Sequence, residues 1–312
     1  MPFFSIVLPT YNRASFLQRS ISSVLSQTFT DFELIIIDDA STDNTKDVIE
    51  TFNDERIRYF KNGKNRERSV SRNKGIELSR GKYICFLDSD DIYRPEHLSG
   101  FSDFIIKENQ PKIFLYSGFQ RNFISDESKI VLEQLTENDN VIEWLIQKQL
   151  PPPSTVCIHK DILLQFCFNP LLRINEDLEL WVRIATTYQI KCIRQITVDF
   201  TIHGGNTCFN QKIPRQDEIN VLKELCKNPI TQKYISKSLK KKRLQELRSQ
   251  QIIVLNAEKK DNLVPYIISY LLRYPFAFQN KHRLYVLLEN LYLFKGLLKL
   301  YSAFKRCFRK SK

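Results

Sequence analysis

Three carboxylates follow a short apolar run near residue 90. The run, residues 83–87, is aromatic and β-prone and has a glycine before it, which predicts a buried strand. Asp88, Asp90 and Asp91 then cluster where that strand should leave its sheet. Carboxylates this close repel one another unless a cation or hydrogen-bond donors lie among them. A divalent cation with bound phosphates would satisfy them, and a plain surface turn rich in Asp and Ser explains this stretch equally well.

A second acidic pair and a histidine lie much further along the chain. Glu176 and Asp177 open a stretch with apolar residues at helical spacing, so we expect them in the first turn of a helix capped by Asn175. A helix N-terminus favours anions, so ordinary first-turn acids would explain this pair. A lone histidine is usually structural, but His203 precedes two glycines and is therefore not expected in a packed core.

Apolar runs that end in polar residues predict strands alternating with helices. The strands are expected at residues 4–8, 32–37, 56–60, 83–87, 113–117, 154–158 and 198–202, the last as an edge strand. This alternation implies an α/β fold with a parallel sheet covered on both faces, where ligands bind beyond the carboxyl ends of the strands. Polar clusters at residues 9–10, 38–39 and 88–91 lie at such ends, and we predict that they converge.

Composition disfavours several classes of protein. With only 8 Gly in 312 residues and no GxGxxG or GxxxxGK[ST] loop, dinucleotide binding and P-loop ATP chemistry are both disfavoured. The 7 cysteines include no CxxC pair, which favours a reducing cytoplasm. The N-terminus does not have the pattern of a signal peptide, and no apolar run reaches the roughly 18 residues needed to span a bilayer. We therefore expect a cytoplasmic protein without a spanning segment.

The charge is unevenly distributed along the chain. Residues 211–312 hold 23 Lys+Arg and 7 Asp+Glu, a net charge of +16, whereas residues 1–210 hold 24 and 28, a net charge of −4. This division predicts a catalytic domain over 1–210 and a helical, basic region over 211–312. Within 294–308 an aromatic face opposes a basic one, and such a helix can either lie in a membrane interface or dock on the catalytic body. No nucleic-acid motif accompanies the charge, so nucleic acid is not an expected partner.

Five motifs together carry a family resemblance. They are Ser5–Arg13 (SIVLPTYNR), Ile36–Thr45 (IIDDASTDNT), Ser71–Gly75 (SRNKG), Phe86–Asp91 (FLDSDD) and Glu176–Trp181 (EDLELW). In this order and at these separations they resemble family 2 glycosyltransferases of the GT-A fold, over about residues 3–210. The resemblance implies a Rossmann-like, mostly parallel sheet with helices on both faces. The basic C-terminal extension lies outside it.

The resemblance also implies a reaction and a set of site residues. The reaction would be inverting transfer from a nucleotide-diphosphate sugar, typically a UDP-sugar, to a hydroxyl group of a glycan or lipid-linked acceptor, with Mn²⁺ or Mg²⁺. By their places in the motifs, the residues that would bind the nucleotide are Pro9, Thr10, Tyr11, Asp38, Asp39, Arg72 and Asp88. The metal would be bound by Asp90, Asp91 and His203. The catalytic base would be Asp177, with Glu176 beside it.

General chemistry supports these roles. The leaving nucleoside diphosphate gains negative charge, which a metal ion on its oxygens stabilises as a Lewis acid. The acceptor hydroxyl is a poor nucleophile, so a carboxylate must take its proton as it attacks C1 of the sugar. A single displacement inverts that carbon, so the base must lie across the sugar from the metal and come from a separate segment. Asp177 meets that condition.

Two other functions fit part of the pattern. A nucleotidyltransferase also places a metal and a nucleotide at the ends of parallel strands, but its first loop is normally rich in glycine and residues 9–13 contain none. An inactive homologue could bind nucleotide sugars or recruit partners to a membrane, but intact Asp90, Asp177 and His203 argue against it. We predict an active transferase in the cytoplasm, peripheral on the inner face of the cell membrane through contact with anionic lipid.

Overall fold

The computed structural model describes residues 1–123, 128–131, 135, 140–148, 151–203 and 215–257. The chain divides into two compact units, Met1–Asn210 with Asn220–Leu239, and Gln211–Ile219 with Lys240–Lys312. The first unit contains the sheet. The predicted functional division at residue 210 stays a prediction, and the predicted amphipathic helix over 294–308 lies outside the described residues.

One sheet organises the first unit. Its strands are β1 (Phe4–Thr10), β2 (Phe32–Asp38), β3 (Ile57–Lys61), β4 (Tyr83–Phe86), β5 (Ile92–Tyr93), β6 (Phe114–Phe123), β7 (Ser128–Val131), β8 (Val156–His159) and β9 (Ile190–Ile202). Their order is β3-β2-β1-β4-β8-β6-β9-β5, with β7 paired to β6. The strands β3, β2, β1 and β4 are parallel neighbours, whereas β8 runs antiparallel to both β4 and β6. The predicted α/β fold is confirmed.

The helices come mostly between these strands. They are α1 (Ala14–Leu25), α2 (Thr45–Glu50), α3 (Glu67–Leu78), α4 (His97–Lys107), α5 (Val141–Lys148), α6 (Lys160–Gln165), α7 (Glu176–Ala185), α8 (Arg215–Lys227) and α9 (Lys237–Ala257). Short 3₁₀ turns lie at Pro153–Thr155 and Gln232–Tyr234. Among the helices in the described ranges, none combines the length and the apolarity needed to cross a membrane.

The strand β1 is buried on both faces, as its continuous apolar run predicts. Leu8 belongs to a core cluster with Leu17 of α1. Successive side chains of a strand point to opposite faces, so the neighbouring Val7 faces the other way, toward α3. There a Cβ added at Gly75 would lie 2.3 Å from Val7 Cγ1, which explains why this helix position has no side chain.

Two strand predictions need correction. Residues 154–155 belong to the 3₁₀ turn rather than to a strand, because Thr155 bonds back to the carbonyl of Pro152, and β8 begins at Val156. Residues 198–202 are not a separate edge strand but the end of the 13-residue β9, which lies between β6 and β5. Most of β9 mixes buried and exposed residues, so it has no continuous apolar run that would mark its length.

The carboxyl ends of β1, β2 and β4 meet at one edge of the sheet. In the parallel register Thr10 lies opposite Asp38, and Phe86 lies opposite Val7. The pairing continues one residue beyond β4, where Leu87 N donates to the carbonyl of Val7 at 3.0 Å. The predicted convergence of the three polar clusters is therefore confirmed.

Candidate active site

Residues 9–11 line this edge at the end of β1. Pro9 lies opposite Ile37 of β2, and the carbonyl of Thr10 accepts a 2.8 Å hydrogen bond from Asp39 N. The Thr10 hydroxyl is buried and has no hydrogen-bond partner in the described part of the chain. Tyr11 is 45% exposed. A buried hydroxyl without a partner is costly, so Thr10 is well suited to bond a ligand here.

The two aspartates after β2 have different surroundings. Asp38 is fully buried, and its carboxylate accepts 2.7 Å hydrogen bonds from Ser41 N and from a tyrosine hydroxyl of β3. Asp39 accepts from Asn62 Nδ2 at 2.8 Å and from Arg66 N, which lies 3.0 Å from both oxygens. A carboxylate offers about four acceptor sites, so Asp39 keeps capacity for one more donor, whereas Asp38 is placed to hold the loop.

Arg72 connects two parts of the edge. Its guanidinium is 1% exposed and donates 2.7 Å hydrogen bonds to Glu176 in α7 and to Asp88 after β4. It also lies 5.3 Å from the ring centroid of Phe168. Burial alone would lower the pKa of Arg72, but the two carboxylates outweigh burial and raise it. Arg72 is therefore a permanent cation between residues 88–91, which we call the acidic turn, and the helix of the predicted base.

The acidic turn is held by a serine from the chain segment before β8. Ser154 Oγ donates to Asp91 Oδ2 at 2.6 Å and accepts from Asp88 N at 3.1 Å. The other oxygen of Asp91 accepts from Thr201 N at 3.2 Å. Burial first, and then the charges of Asp90 and Asp88, raise the pKa of Asp91 well above its ordinary value. Both oxygens of Asp91 are thus engaged by the protein, as expected of a group that shapes the turn.

Asp90 and His203 form a contact between the turn and the end of β9. His203 Nε2 lies 2.9 Å from Asp90 Oδ2, and both side chains are largely buried. The described residues contain no group of three or more His, Cys, Asp or Glu placed to hold a metal ion. A carboxylate oxygen nevertheless suits Mn²⁺ or Mg²⁺, which commonly complete their coordination with substrate phosphates and water, and the imidazole nitrogen makes Mn²⁺ the better match of the two. The pair therefore fits a metal that arrives with a diphosphate.

Glu176 and Asp177, the first two residues of α7, differ in burial and in hydrogen bonding. Glu176 is 3% exposed and accepts from Arg72, whereas Asp177 is partly exposed, and its Oδ1 accepts a 2.8 Å bond from Leu178 N. Burial of the carboxyl group, followed by the charge of Glu176, raises the pKa of Asp177 to about 7, although Arg72 opposes the shift. A carboxylate with this pKa can take a proton near neutral pH.

The contacts of α7 and of the segment before it differ from those that the sequence pattern indicated. Asn175 occupies the N-cap position with φ 52°, and its side chain makes no capping bond, so the predicted side-chain cap is wrong. This left-handed backbone differs from the extended conformation of an ordinary N-cap. Instead, Trp181 Nε1 donates to the carbonyl of Pro151 at 3.0 Å. Nearby, Asn73 Nδ2 and Oδ1 pair with the backbone O and N of Phe168, both at 2.9 Å.

Ser154 and Ser20 are site residues that sequence reasoning missed. Ser154 is 63 residues from Asp91 in the chain, and Ser20 Oγ lies 2.8 Å from the carbonyl oxygens of Ser89 and Asp91. Serine is common on helix surfaces and in turns, so no local signal could have identified Ser20 in α1 or Ser154 in the 3₁₀ turn. Only the folded topology brings them to the acidic turn.

Comparison with known proteins gives a consistent result. The family model for glycosyl transferase family 2 matches residues 5–160. An uncharacterized glycosyltransferase of Rickettsia bellii is 34% identical over 235 residues, which are 74% of this chain and 33% of that protein. The chain spans about a third of the length of this and two further Rickettsia relatives. The Escherichia coli UDP-Glc:alpha-D-GlcNAc-diphosphoundecaprenol beta-1,3-glucosyltransferase WfgD is 28% identical over 74% of this chain and 89% of its own.

Solved structures share the fold. S. aureus TarS 1–349 in complex with UDP-GlcNAc superposes with a TM-score of 0.65 at 20% identity, over 87% of this chain and 80% of that one. The mannosyltransferase PcManGT from Pyrobaculum calidifontis, in complex with GDP-Man and Mn²⁺, has a TM-score of 0.58 at 14% identity, over 93% and 87%. At these identities the likeness establishes the GT-A fold.

Proposed function

Because the chain belongs to glycosyl transferase family 2, we propose that it transfers a sugar from a UDP-sugar to a hydroxyl group of a glycan or lipid-linked acceptor, with inversion of the anomeric carbon. One observation carries this proposal. Arg72 bridges the acidic turn and the helix whose second residue, Asp177, is partly exposed and has its pKa raised to about 7. A donor site and an acceptor site can therefore share one edge of the sheet.

The donor nucleotide would lie at the ends of β1 and β2. Thr10 supplies a buried hydroxyl that lacks a partner among the described residues, and Asp39 keeps an acceptor site for an N–H of the base. Tyr11 supplies an exposed aromatic face at the rim. In this arrangement Asp38 supports the loop rather than the ligand. Pro9 forms part of the wall, and Asp88 lies toward the ribose.

Asp90 and His203 would hold a divalent metal at the diphosphate. When bound, a Mn²⁺ or Mg²⁺ ion supplies Lewis-acid stabilisation for the charge on the leaving diphosphate. We assign Asp91 to the support of the turn, because Ser154 and Thr201 N already use its oxygens. This revises the predicted three-residue metal set to two protein ligands.

Asp177 would act as the general base. Its carboxylate takes the proton of the acceptor hydroxyl while that oxygen forms a bond to C1 of the sugar. The bond from C1 to the diphosphate oxygen breaks in the same displacement, and the electron pair leaves with the diphosphate. Glu176 is less suited to this role because Arg72 holds its carboxylate in a buried ion pair.

A lipid-linked acceptor is our proposal for the second substrate. It is supported by the name of the WfgD relative, whose acceptor is a diphosphoundecaprenol-linked sugar. Residues 211–312 carry a net charge of +16, which would attract the chain to the anionic inner face of the cell membrane. An acceptor embedded in that membrane would then reach the site by lateral diffusion.

The test is release of UDP from UDP-sugars by the purified full chain. We expect release from UDP-glucose or UDP-GlcNAc that depends on Mn²⁺ and increases with a lipid-diphosphate sugar acceptor. The anomeric configuration of the product, measured by NMR, should be opposite to that of the donor. Formation of pyrophosphate from a nucleoside triphosphate and a sugar phosphate, without transfer from UDP-sugars, would instead identify a nucleotidyltransferase.

A further inference from the structure

The ring of Phe16 stacks on the imidazole of His203. The two ring centroids are 4.6 Å apart and the planes are inclined by 24°. Phe16 lies in the first turn of α1, whereas His203 directly follows β9. The stacked imidazole is the one whose Nε2 lies 2.9 Å from Asp90 Oδ2.

The same face of α1 also contacts the acidic turn. Ser20 Oγ lies 2.8 Å from the carbonyl oxygens of Ser89 and Asp91, and Ser23 Oγ accepts from the backbone N–H of β5 at 3.1 Å. Residues 16, 20 and 23 are spaced by four and three positions, so they share one side of the helix. That side therefore touches His203 and the two residues that flank Asp90, and the paired residues come from segments 113 residues apart.

A histidine at a strand end needs such support. The outer side-chain torsion of histidine is broad, so the backbone of β9 alone does not fix the plane of the His203 ring. A parallel aromatic face restricts that plane and leaves Nε2 directed at Asp90. The Phe16 ring is itself flanked by the guanidinium carbons of Arg13 and Arg19, 5.9 and 5.7 Å from its centroid.

We infer that Phe16 is a positioning residue that orients His203 toward Asp90, and that Phe16 and Ser20 together make α1 the support of the metal- and diphosphate-binding pair. The identity of the ligand rests on the proposed function. The positioning role itself rests on the contacts that Phe16 and Ser20 of α1 make with His203 and with the acidic turn. Partners that orient metal ligands commonly change metal affinity 10- to 100-fold when they are removed.

The experiment measures Mn²⁺ binding to the full chain in the presence of UDP, from the electron paramagnetic resonance signal of free Mn²⁺. Phe16→Leu keeps apolar bulk but removes the aromatic face, and we expect about 10-fold weaker binding. Phe16→Tyr keeps the ring and should bind within about 2-fold of wild type. Phe104→Leu is the matched control, because Phe104 is also a half-buried helical residue with a cation 5.8 Å from its centroid.

A second comparison covers the case in which Phe16→Leu does not fold. Ser20→Ala removes the contact to the acidic turn and should weaken Mn²⁺ binding several-fold. Ser26→Ala, which removes only a 3.2 Å bond to the carbonyl of Ser23 at the C-terminal end of the same helix, should not. Wild-type affinity in both Phe16→Leu and Ser20→Ala would overturn the inference and leave the proposed function intact. A wild-type chain that transfers sugar without binding Mn²⁺ would overturn the metal role and this inference with it.

Discussion

Arg72 donates a 2.7 Å hydrogen bond to Glu176, the residue that precedes the proposed base in α7. The other terminal nitrogen of the same guanidinium donates to Asp88 at the same distance. An arginine stays charged at every physiological pH, so the guanidinium keeps its positive charge throughout that range. The distance between the acidic turn and the start of α7 is thus set by one rigid planar group.

Replacement of Arg72 should be costly for folding. Arg72→Met leaves Glu176 as a buried carboxylate with its main partner removed, and losses of this kind are about 3–5 kcal/mol in the free energy of unfolding. Urea titration of Arg72→Met measures the loss. The control is Lys46→Met, which removes a solvent-exposed pair with Glu50 at the i,i+4 spacing and should cost about 1 kcal/mol or less. Equal losses in the two variants would contradict a structural role for the bridge.

Asp177→Asn should remove the base while preserving the shape of the site. We expect a decrease in kcat of about 10²-fold or more, with binding of the UDP-sugar largely unchanged, since general bases contribute at this scale. Steady-state kinetics and donor titration measure the two effects separately. Glu179→Gln in the same helix is the control. A near-normal Asp177→Asn together with an inactive Glu176→Gln would transfer the role to Glu176.

The pH dependence of the reaction should report Asp177. Its pKa is raised to about 7, and a base must be unprotonated to accept a proton. Therefore kcat/KM should fall by about tenfold per pH unit below 7 and level off above it. Glu176→Gln removes a negative neighbour, so the pKa of Asp177 should decrease and the acid limb should move to lower pH. A limb that stays in place in this variant would show that Glu176 does not influence the base.

Replacement by asparagine should have different effects at Asp90 and at Asp91. EDTA should abolish UDP release, and Mn²⁺ or Mg²⁺ should restore it. Asp90→Asn should lose most of the rate and weaken Mn²⁺ binding. Asp91→Asn should mainly lower the melting temperature, because the Asp91 carboxylate accepts from Ser154 and Thr201 N. Calorimetry and Mn²⁺ titration on both variants test this separation, and full activity in chelator would exclude the metal role.

The basic C-terminal region should bind anionic membranes. Each Lys or Arg near an anionic leaflet contributes about 1 kcal/mol, and the apolar face predicted for 294–308 would add to that. Sedimentation with anionic liposomes should recover the full chain more than a chain truncated after Leu288, and salt should release part of it. Neutral liposomes are the control. Equal and negligible binding by both chains would mean that the predicted helix docks on the protein instead.

The parts of the fold that depend on short-range pattern were predictable. The strands β1, β2 and β4 are mostly apolar runs with polar ends, so both their positions and the convergence of their carboxyl ends followed from the sequence. The length of β9 and the two-residue β5 could not be predicted, because their pairing comes from distant strands rather than from local composition. The predicted site residues came from motifs, whereas their supports came from tertiary contacts.

The chemistry of individual side chains was less predictable than their positions. Nothing in the sequence of residues 88–91 distinguishes Asp91, with both oxygens bonded by the protein, from Asp90, which faces a histidine. In the same way, the two neighbouring acids at the start of α7 differ because Arg72 hydrogen-bonds Glu176 but not Asp177. Such differences arise from long-range partners, and a single sequence without its fold does not contain them.

The segment from Pro151 to Ser154 restricts how this protein can be re-engineered. One end accepts a bond from Trp181 in the helix of the base, and the other bonds the acidic turn through Asp88 and Asp91. Pro152 is extended, Pro153 and Ser154 begin a 3₁₀ turn, and proline restricts the backbone, so the four residues act as a short spacer with little conformational freedom. Chimeras that exchange loops with relatives should therefore place their junctions outside this spacer. A junction or an inserted residue within it would shift the two halves of the site relative to each other.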